Sequence, residues 1–176
     1  RALARASQKE GVHVMYPMIV ELDQFLKLKR FFAEATSDIH DQNVKQGVMF
    51  EVPSAWLQAK ELLAASDFAS IGTNDLVQYF FAVDRNNEYV AYDYSPDRES
   101  FWKVIRKITQ AAAQTKRPLS VCGEMAGNPK YVVRLLQEGI RTVSVSSKLI
   151  PGLRMAVKQA GAIRRDRKTN KKNKPS

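Results

Sequence analysis

Residues 68–85 read Phe-Ala-Ser-Ile-Gly-Thr-Asn-Asp-Leu-Val-Gln-Tyr-Phe-Phe-Ala-Val-Asp-Arg. A short apolar run, Phe68 to Ile71, ends in Gly72 and then presents Thr73, Asn74 and Asp75 side by side. A helix-like segment over 75–83 follows and closes on Asp84-Arg85. Polar groups crowded where a strand gives way to a helix suit a phosphate and a hard cation. Gly72 lets the backbone approach, Asp75 offers oxygen, and the amides that open the next helix point at anions. Two further strand ends share this build: Val48-Met49-Phe50-Glu51 and Leu119-Ser120-Val121-Cys122-Gly123-Glu124. A carboxylate, an amide–carboxylate pair and a thiol at three successive strand ends compose a candidate active site.

Outward from this stretch, strand-like and helix-like segments alternate. The residues predict strands at Val12–Tyr16, Gly47–Phe50, Phe68–Ile71, Leu119–Cys122 and Thr142–Val145. Between them, apolar spacing predicts a helix over 21–35, with Leu22, Phe25, Leu26, Leu28 and Phe32 as its apolar residues. A second starts at Pro53, with Trp56, Leu57, Leu62 and Leu63 on one face. Others span 97–114 and 129–136, and a last one opens at Pro151. Such alternation implies an α/β fold with a parallel sheet and right-handed crossovers. In these sheets, and above all in (β/α)8 barrels, chemistry gathers at the carboxyl ends of the strands. Five strands fall short of eight, so the pattern reads as the second part of a barrel.

Composition bounds the function. A chain of 176 residues with 44% hydrophobic content suits one domain with a sizeable core. No apolar run approaches the roughly 20 residues of a membrane span, and the N-terminus lacks a signal-peptide pattern. The lone cysteine, Cys122, excludes an internal disulfide and fits the reducing cytoplasm. The net charge of +10 invites a nucleic-acid reading, but its location argues otherwise. Seven basic residues from Arg164 to Lys174, against Asp166 alone, supply six of the ten excess charges. Residues 164–176 read as a disordered, solvated basic tail, and residues 1–163 as the domain. No aromatic RNA-binding motif, zinc spacing or recognition-helix pattern supports nucleic-acid binding.

Four stretches carry a family resemblance: Gly-Val-Met-Phe-Glu-Val-Pro-Ser (47–54), Asp-Phe-Ala-Ser-Ile-Gly-Thr-Asn-Asp-Leu-Val-Gln-Tyr (67–79), Ala-Val-Asp-Arg-Asn-Asn (82–87) and Cys-Gly-Glu-Met-Ala-Gly-Asn-Pro (122–129). In order and at suitable spacing, they resemble the phosphoenolpyruvate-binding barrel of enzyme I. That enzyme is the phosphoenolpyruvate-protein phosphotransferase of the bacterial phosphotransferase system. Met15-Tyr16-Pro17-Met18-Ile19 and Ser144-Val145-Ser146 look like flanking strands of the same barrel, so the likeness runs from Ala2 to about Val157. Pyruvate phosphate dikinase and phosphoenolpyruvate synthase share the Gly-Thr-Asn-Asp and Cys-Gly elements, but residues 122–129 look more like enzyme I. The Val-Asp-Arg-Asn-Asn run is similar to the nitrogen-related paralogue.

The resemblance implies a carboxyl-terminal part of a phosphoenolpyruvate-utilising (β/α)8 barrel. It implies Mg²⁺ held by Glu51 and Asp75, with positions left for substrate and water. Asn74, Asp75 and the following helix start would bind the substrate, and Arg85 would clamp the phosphoryl group through its forked guanidinium. Cys122 would be the catalytic acid, giving a proton to the methylene carbon of pyruvate enolate; a thiol of ordinary pKa near about 8.5 is mostly protonated at neutral pH. Each residue also has a plainer use. Glu51 as a surface carboxylate, Asp75 as a helix cap, Asn74 as a turn former, Arg85 in an ion pair with Asp84 and Cys122 as a small buried hydrophobe are all common. Glu124 and Gln78 are candidates for supporting contacts. His13, in a strand, and His40, in a polar linker, read as structural or exposed, and Met15, Met18, Met49 and the phenylalanines as core.

The family relays the phosphoryl group through a histidine in a separate domain to the carrier protein HPr, and the resemblance extends to a homodimer at full length. That histidine's Gly-Gly and Ser-His context does not occur here, nor do the first barrel strands with their phosphate-binding arginines; Arg1 and Arg5 do not match them. The expectation is a fragment, a truncated relative or a piece that assembles with another chain, without full activity alone. A dikinase or synthase fragment and a non-catalytic regulatory module are the competing readings.

Overall fold

Five strands, β1 (Val12–Tyr16), β2 (Val44–Phe50), β3 (Phe68–Gly72), β4 (Leu119–Cys122) and β5 (Thr142–Val143), pair in parallel in the order of the chain. The coordinates are a computed structural model that describes residues 1–172, with side chains as far as residue 161. Helices fill the connections: α1 (Ala2–Ser7) precedes the sheet, and α2 (Leu22–Ala35) joins β1 to β2. Then come α3 (Pro53–Leu57), α4 (Ala59–Ala65) and α5 (Thr73–Phe81). After these lie α6 (Glu99–Thr115), α7 (Glu124–Gly127), α8 (Pro129–Gln137) and α9 (Ile150–Lys172). Single 3-10 turns occupy Ala91–Asp93 and Ser147–Leu149. The strand order never reverses, and the buried strand side chains meet the helices on one side of the sheet. This is a run of consecutive β/α units of a barrel, as the alternation predicts.

Side chains sort by the two-residue period of the strands. Val48 and Phe50, Ala69 and Ile71, and Val121 point to the helical side and are buried. There they meet Leu62 and Leu63 of α4, Leu76 and Val77 of α5, and Phe101, Trp102, Ile105 and Ile108 of α6. The opposite face carries Met15, Lys45, Met49, Ser70 and Ser120, brought abreast by the pairings Met15↔Gly47, Met49↔Ser70 and Ser70↔Ser120. Met15 and Met18 are exposed, not core as the sequence predicts, because no element among the described residues covers this face. Met49 is half-buried, and His13 and His40 are exposed, with His13 stacked on Phe68 at 5.0 Å between ring centres.

Other departures have local causes. The helix expected through Leu57 and Leu63 breaks at Gln58, whose side-chain Oε1 accepts the Leu22 N–H at 3.2 Å. The break turns Leu57 outward to 69% exposure while Leu62 and Leu63 stay buried. In α2, Phe25 is buried and Leu22, Leu28 and Phe32 half-buried, but Leu26 falls off their stripe and is exposed. Strand β2 starts at Val44 because Val12 pairs with it, and β5 is only two residues long. The ladder nevertheless runs one bond further, from the Ser144 N–H to the Val121 carbonyl at 2.8 Å. The basic tail expected over residues 164–176 lies outside the residues whose side chains are described.

Candidate active site

The carboxyl ends of β2, β3 and β4 bring the predicted residues to one rim. The pairing Gly72↔Cys122 sets the ends of β3 and β4 level, and Phe50↔Ile71 does the same for β2 and β3. Two side-chain bonds then tie the turn after β3 to the end of β4. Thr73 Oγ1 donates to the Cys122 carbonyl at 2.7 Å, and Asn74 Oδ1 accepts the Glu124 N–H at 2.8 Å. Gly123 makes this closeness possible. Its φ of +88° disfavours other residues, and a Cβ there would lie 2.5 Å from Thr73 Oγ1.

Glu51 is buried, at 5% exposure, beyond the end of β2. Its Oε1 accepts the Met18 N–H at 2.7 Å, so the segment after β1 positions it. Its Oε2 faces the hollow beside Gly72. Burial raises the Glu51 carboxyl above its ordinary range, the Met18 N–H opposes the rise, and the Asp75 charge adds to it. A buried carboxylate whose ionisation a nearby acidic group disfavours forms, with that group, a donor set that a hard cation would relieve. Among the described residues no group of three or more acidic, histidine or cysteine side chains is placed to hold a metal ion. Two protein carboxylates with further positions for ligand and water remain compatible with a Mg²⁺-like ion.

Cys122 lies on the same rim. Its S–H donates to the Ile71 carbonyl at 3.6 Å. Burial raises its pKa, Ser70 opposes the rise, and the charges of Glu51 and Asp75 add to it. The thiol is thereby kept protonated, the form an acid needs. On the outer side, Arg85 Nη2 stands 3.6 Å from Asp75 Oδ1. Asp84, the plainer partner, instead accepts the Asn86 N–H at 2.9 Å. Gln78 supports the Arg85 backbone by accepting its N–H at 3.3 Å, while Glu124 contributes its own N–H and leaves its side chain exposed. Arg85 Nη1 is buried and has no hydrogen-bond partner among the described residues. A buried guanidinium N–H without an acceptor is costly unless a ligand supplies one.

A cleft of about 700 Å³ opens beside this rim, walled by Asn74, Glu124, Asn128, Ser144 and Ser146. A larger groove of about 910 Å³ lies between α8, β5 and α9, but its lining is mainly Val132, Val143, Val145, Ile150 and Leu153. It has no acidic group.

Residues 1–162 match the family described as PEP-utilising enzyme, PEP-binding domain. The chain belongs to this family. Among curated relatives, the phosphoenolpyruvate-protein phosphotransferases of Bacillus sp. (strain S) and Haemophilus influenzae are 38% and 35% identical to it. Each alignment covers 90% of the chain but 28% of the relative, so the chain spans little more than a quarter of their length. A solved citrate lyase from Burkholderia xenovorans LB400 shares the fold with a TM-score of 0.64, at 16% identity, over 82% of this chain and 48% of that one.

Within this PEP-binding domain, sequence reasoning misses three contributors. The Met18 backbone N–H has no signature in sequence. Thr73 was in view beside Asn74, but its bond to β4 depends on tertiary placement. Tyr94 sits in the loop between α5 and α6, half-buried, and its hydroxyl donates to the Asn74 carbonyl at 3.2 Å. A tyrosine that packs on the core from an Asn- and Pro-rich loop was the available signal.

Proposed function

We propose that this chain is the phosphoenolpyruvate-binding part of a phosphoenolpyruvate-protein phosphotransferase. Supporting this reading above all is the meeting of Glu51, Asp75 and Cys122 at one rim, where the Asp75 charge raises the proton affinity of Glu51 and both carboxylates raise that of Cys122. Family membership and the names of the relatives add to it. Glu51 and Asp75 would hold Mg²⁺, which when bound neutralises charge on the substrate's phosphate and carboxylate. Asn74 and Asp75 bind the substrate, and Arg85, with its buried and unpartnered Nη1, takes a phosphoryl oxygen. Once the phosphoryl group has gone to an acceptor histidine, pyruvate enolate remains. Cys122 gives its proton to the methylene carbon: the S–H bond breaks, a C–H bond forms, and the thiolate recovers a proton from solvent. Positioning and charge stabilisation supply the rest of the catalysis.

In this reading the histidine belongs to another part of the enzyme, and the next acceptor is an HPr-type carrier in the cytoplasm. The working enzyme is a homodimer, and the chain alone lacks the full transfer activity. No described helix is long and apolar enough to cross a membrane. Calorimetric titration of the chain with phosphoenolpyruvate tests the reading. Saturable binding that requires Mg²⁺ and vanishes in Asp75→Ala is expected; absence of binding, or equal affinity in Asp75→Ala, overturns it.

A further inference from the structure

Asn74 and Glu124 stand side by side because the Glu124 N–H donates to Asn74 Oδ1 at 2.8 Å. The bond commits the oxygen of the side-chain amide, so its Nδ2–H groups are what Asn74 has left for a ligand. A donor for an anionic oxygen thus adjoins a carboxylate that, among the described residues, has neither an ion-pair nor a hydrogen-bond partner. Both residues line the cleft of about 700 Å³. The end of β5 forms another wall. The Ser144 N–H bond to the Val121 carbonyl, at 2.8 Å, carries the ladder past the last paired residues. Val143 and Val145 pack on the core, while Ser144 and Ser146 are exposed along the cleft. Leu149, 44% exposed, adds an apolar side and lies close over Gly127, where a Cβ would stand 2.7 Å from its Cδ1. No lysine or arginine lines the cleft, and Glu124 is its one charged side chain.

Such walls suit a ring with an N–H to give, not a phosphate ester, whose charge calls for cations. We propose that the cleft receives the imidazole of the phosphoryl acceptor and that Glu124 positions it, accepting one ring N–H so that the lone pair of the other nitrogen faces the side-chain amide of Asn74. Donor and acceptor then occupy separate volumes, since Arg85 is not among the residues that line the cleft. In the transfer, the lone pair forms an N–P bond as the P–O bond to the enolate breaks, its electrons staying on the enolate oxygen. The ring N–H proton remains in the bond to Glu124, whose negative charge offsets the positive charge gained by the ring. That the ring belongs to a phosphoryl acceptor rests on the function proposed above; the preference of the cleft for a nitrogen heterocycle does not.

The Glu124 side chain is exposed, so Glu124→Ala should leave the thermal midpoint in place. Imidazole itself, titrated into the chain at about pH 8, where the ring is mainly neutral, is the first probe. Its Kd, read from the backbone amide NMR signals of Ser144 and Ser146, should rise about tenfold or more in Glu124→Ala, the scale of one hydrogen bond to a charged group. By calorimetry, the Kd for phosphoenolpyruvate with Mg²⁺ should stay within about twofold. In the complete phosphotransferase, Glu124→Ala should slow phosphorylation of the acceptor histidine about tenfold or more, and Glu124→Gln, which keeps an oxygen to accept the N–H, should slow it less. Imidazole that leaves those signals unmoved, or that binds Glu124→Ala as it binds the parent, overturns the proposal. A parental transfer rate in Glu124→Ala overturns it too. So does phosphoenolpyruvate affinity that falls along with imidazole affinity, because Glu124 would then support the substrate site. If the parent chain binds imidazole through Glu124 but binds no phosphoenolpyruvate with Mg²⁺, the ligand class of the cleft stands and the phosphoenolpyruvate reading fails.

Discussion

Glu51 Oε2 occupies the hollow that a side chain on Gly72 would fill: a methyl group at position 72 would lie 2.8 Å from that oxygen and 3.1 Å from the Glu51 Cβ. The glycine of the Gly-Thr-Asn-Asp stretch thus serves its neighbour on β2, beyond allowing a ligand to approach. Gly72→Ala should keep the fold and displace the Glu51 carboxylate. Mg²⁺-dependent phosphoenolpyruvate affinity is expected to fall about tenfold or more by calorimetry, with β-sheet circular dichroism unchanged. Unaltered affinity would show that Glu51 is not held where the ligand needs it.

Glu51 gives a pH signature. Its carboxyl is raised in the folded chain by burial and by Asp75. The unfolded chain therefore loses this proton first as pH climbs. Stability falls between the ordinary glutamate value and the raised folded value, then stays level. Glu51→Gln cannot ionise and escapes this loss. Its thermal midpoint should exceed the parent's by a few degrees at pH 7 and match it below about pH 4. Mg²⁺ should raise the parent's midpoint and leave that of Glu51→Gln unmoved.

The Cys122 thiol, raised by burial and by two nearby carboxylates, should stay protonated beyond the pH at which free thiols ionise. Alkylation by iodoacetamide at pH 8 should be slower than that of a free thiol, and faster once Glu51 and Asp75 are neutralised together. In the complete phosphotransferase, Cys122→Ala should bind phosphoenolpyruvate normally while pyruvate formation slows by about 10²-fold or more, the usual worth of a positioned acid. Pyruvate formation at the parental rate would remove the acid role.

Leu62 of α4 is fully buried against the sheet and α6. Leu62→Ala should cost about 2–5 kcal/mol in urea unfolding, whereas Leu57→Ala, at an exposed position only five residues earlier, should cost little.

Sequence alone was enough for the order of elements and for the residues at the strand ends, because both are written in local pattern. Val48 and Phe50 alternate with Met49 and Glu51, so the strand and the side to which its acid points can be read together. The break at Gln58 was not legible, since it depends on a bond to Leu22 supplied from another element. The exposure of Met15 and Met18 was missed for a related reason: apolar character predicts burial only where something is present to cover it. Within the site, Glu51, Asn74, Asp75 and Cys122 stand out by their places at strand ends, and Arg85 through the family resemblance. Tyr94 and the Met18 amide act through contacts spanning 20 and 33 residues, which no spacing rule encodes.

The level alignment of Gly72 with Cys122 makes chemistry a reporter of strand pairing. Successive side chains on a strand face opposite ways, so a slip of one residue between β3 and β4 would turn the thiol into the helical layer and Val121 toward the carboxylates. A misfolded population paired that way could keep its helical content and still be catalytically silent. Specific activity per folded molecule would then measure correct registration more sensitively than any spectroscopic estimate of secondary structure.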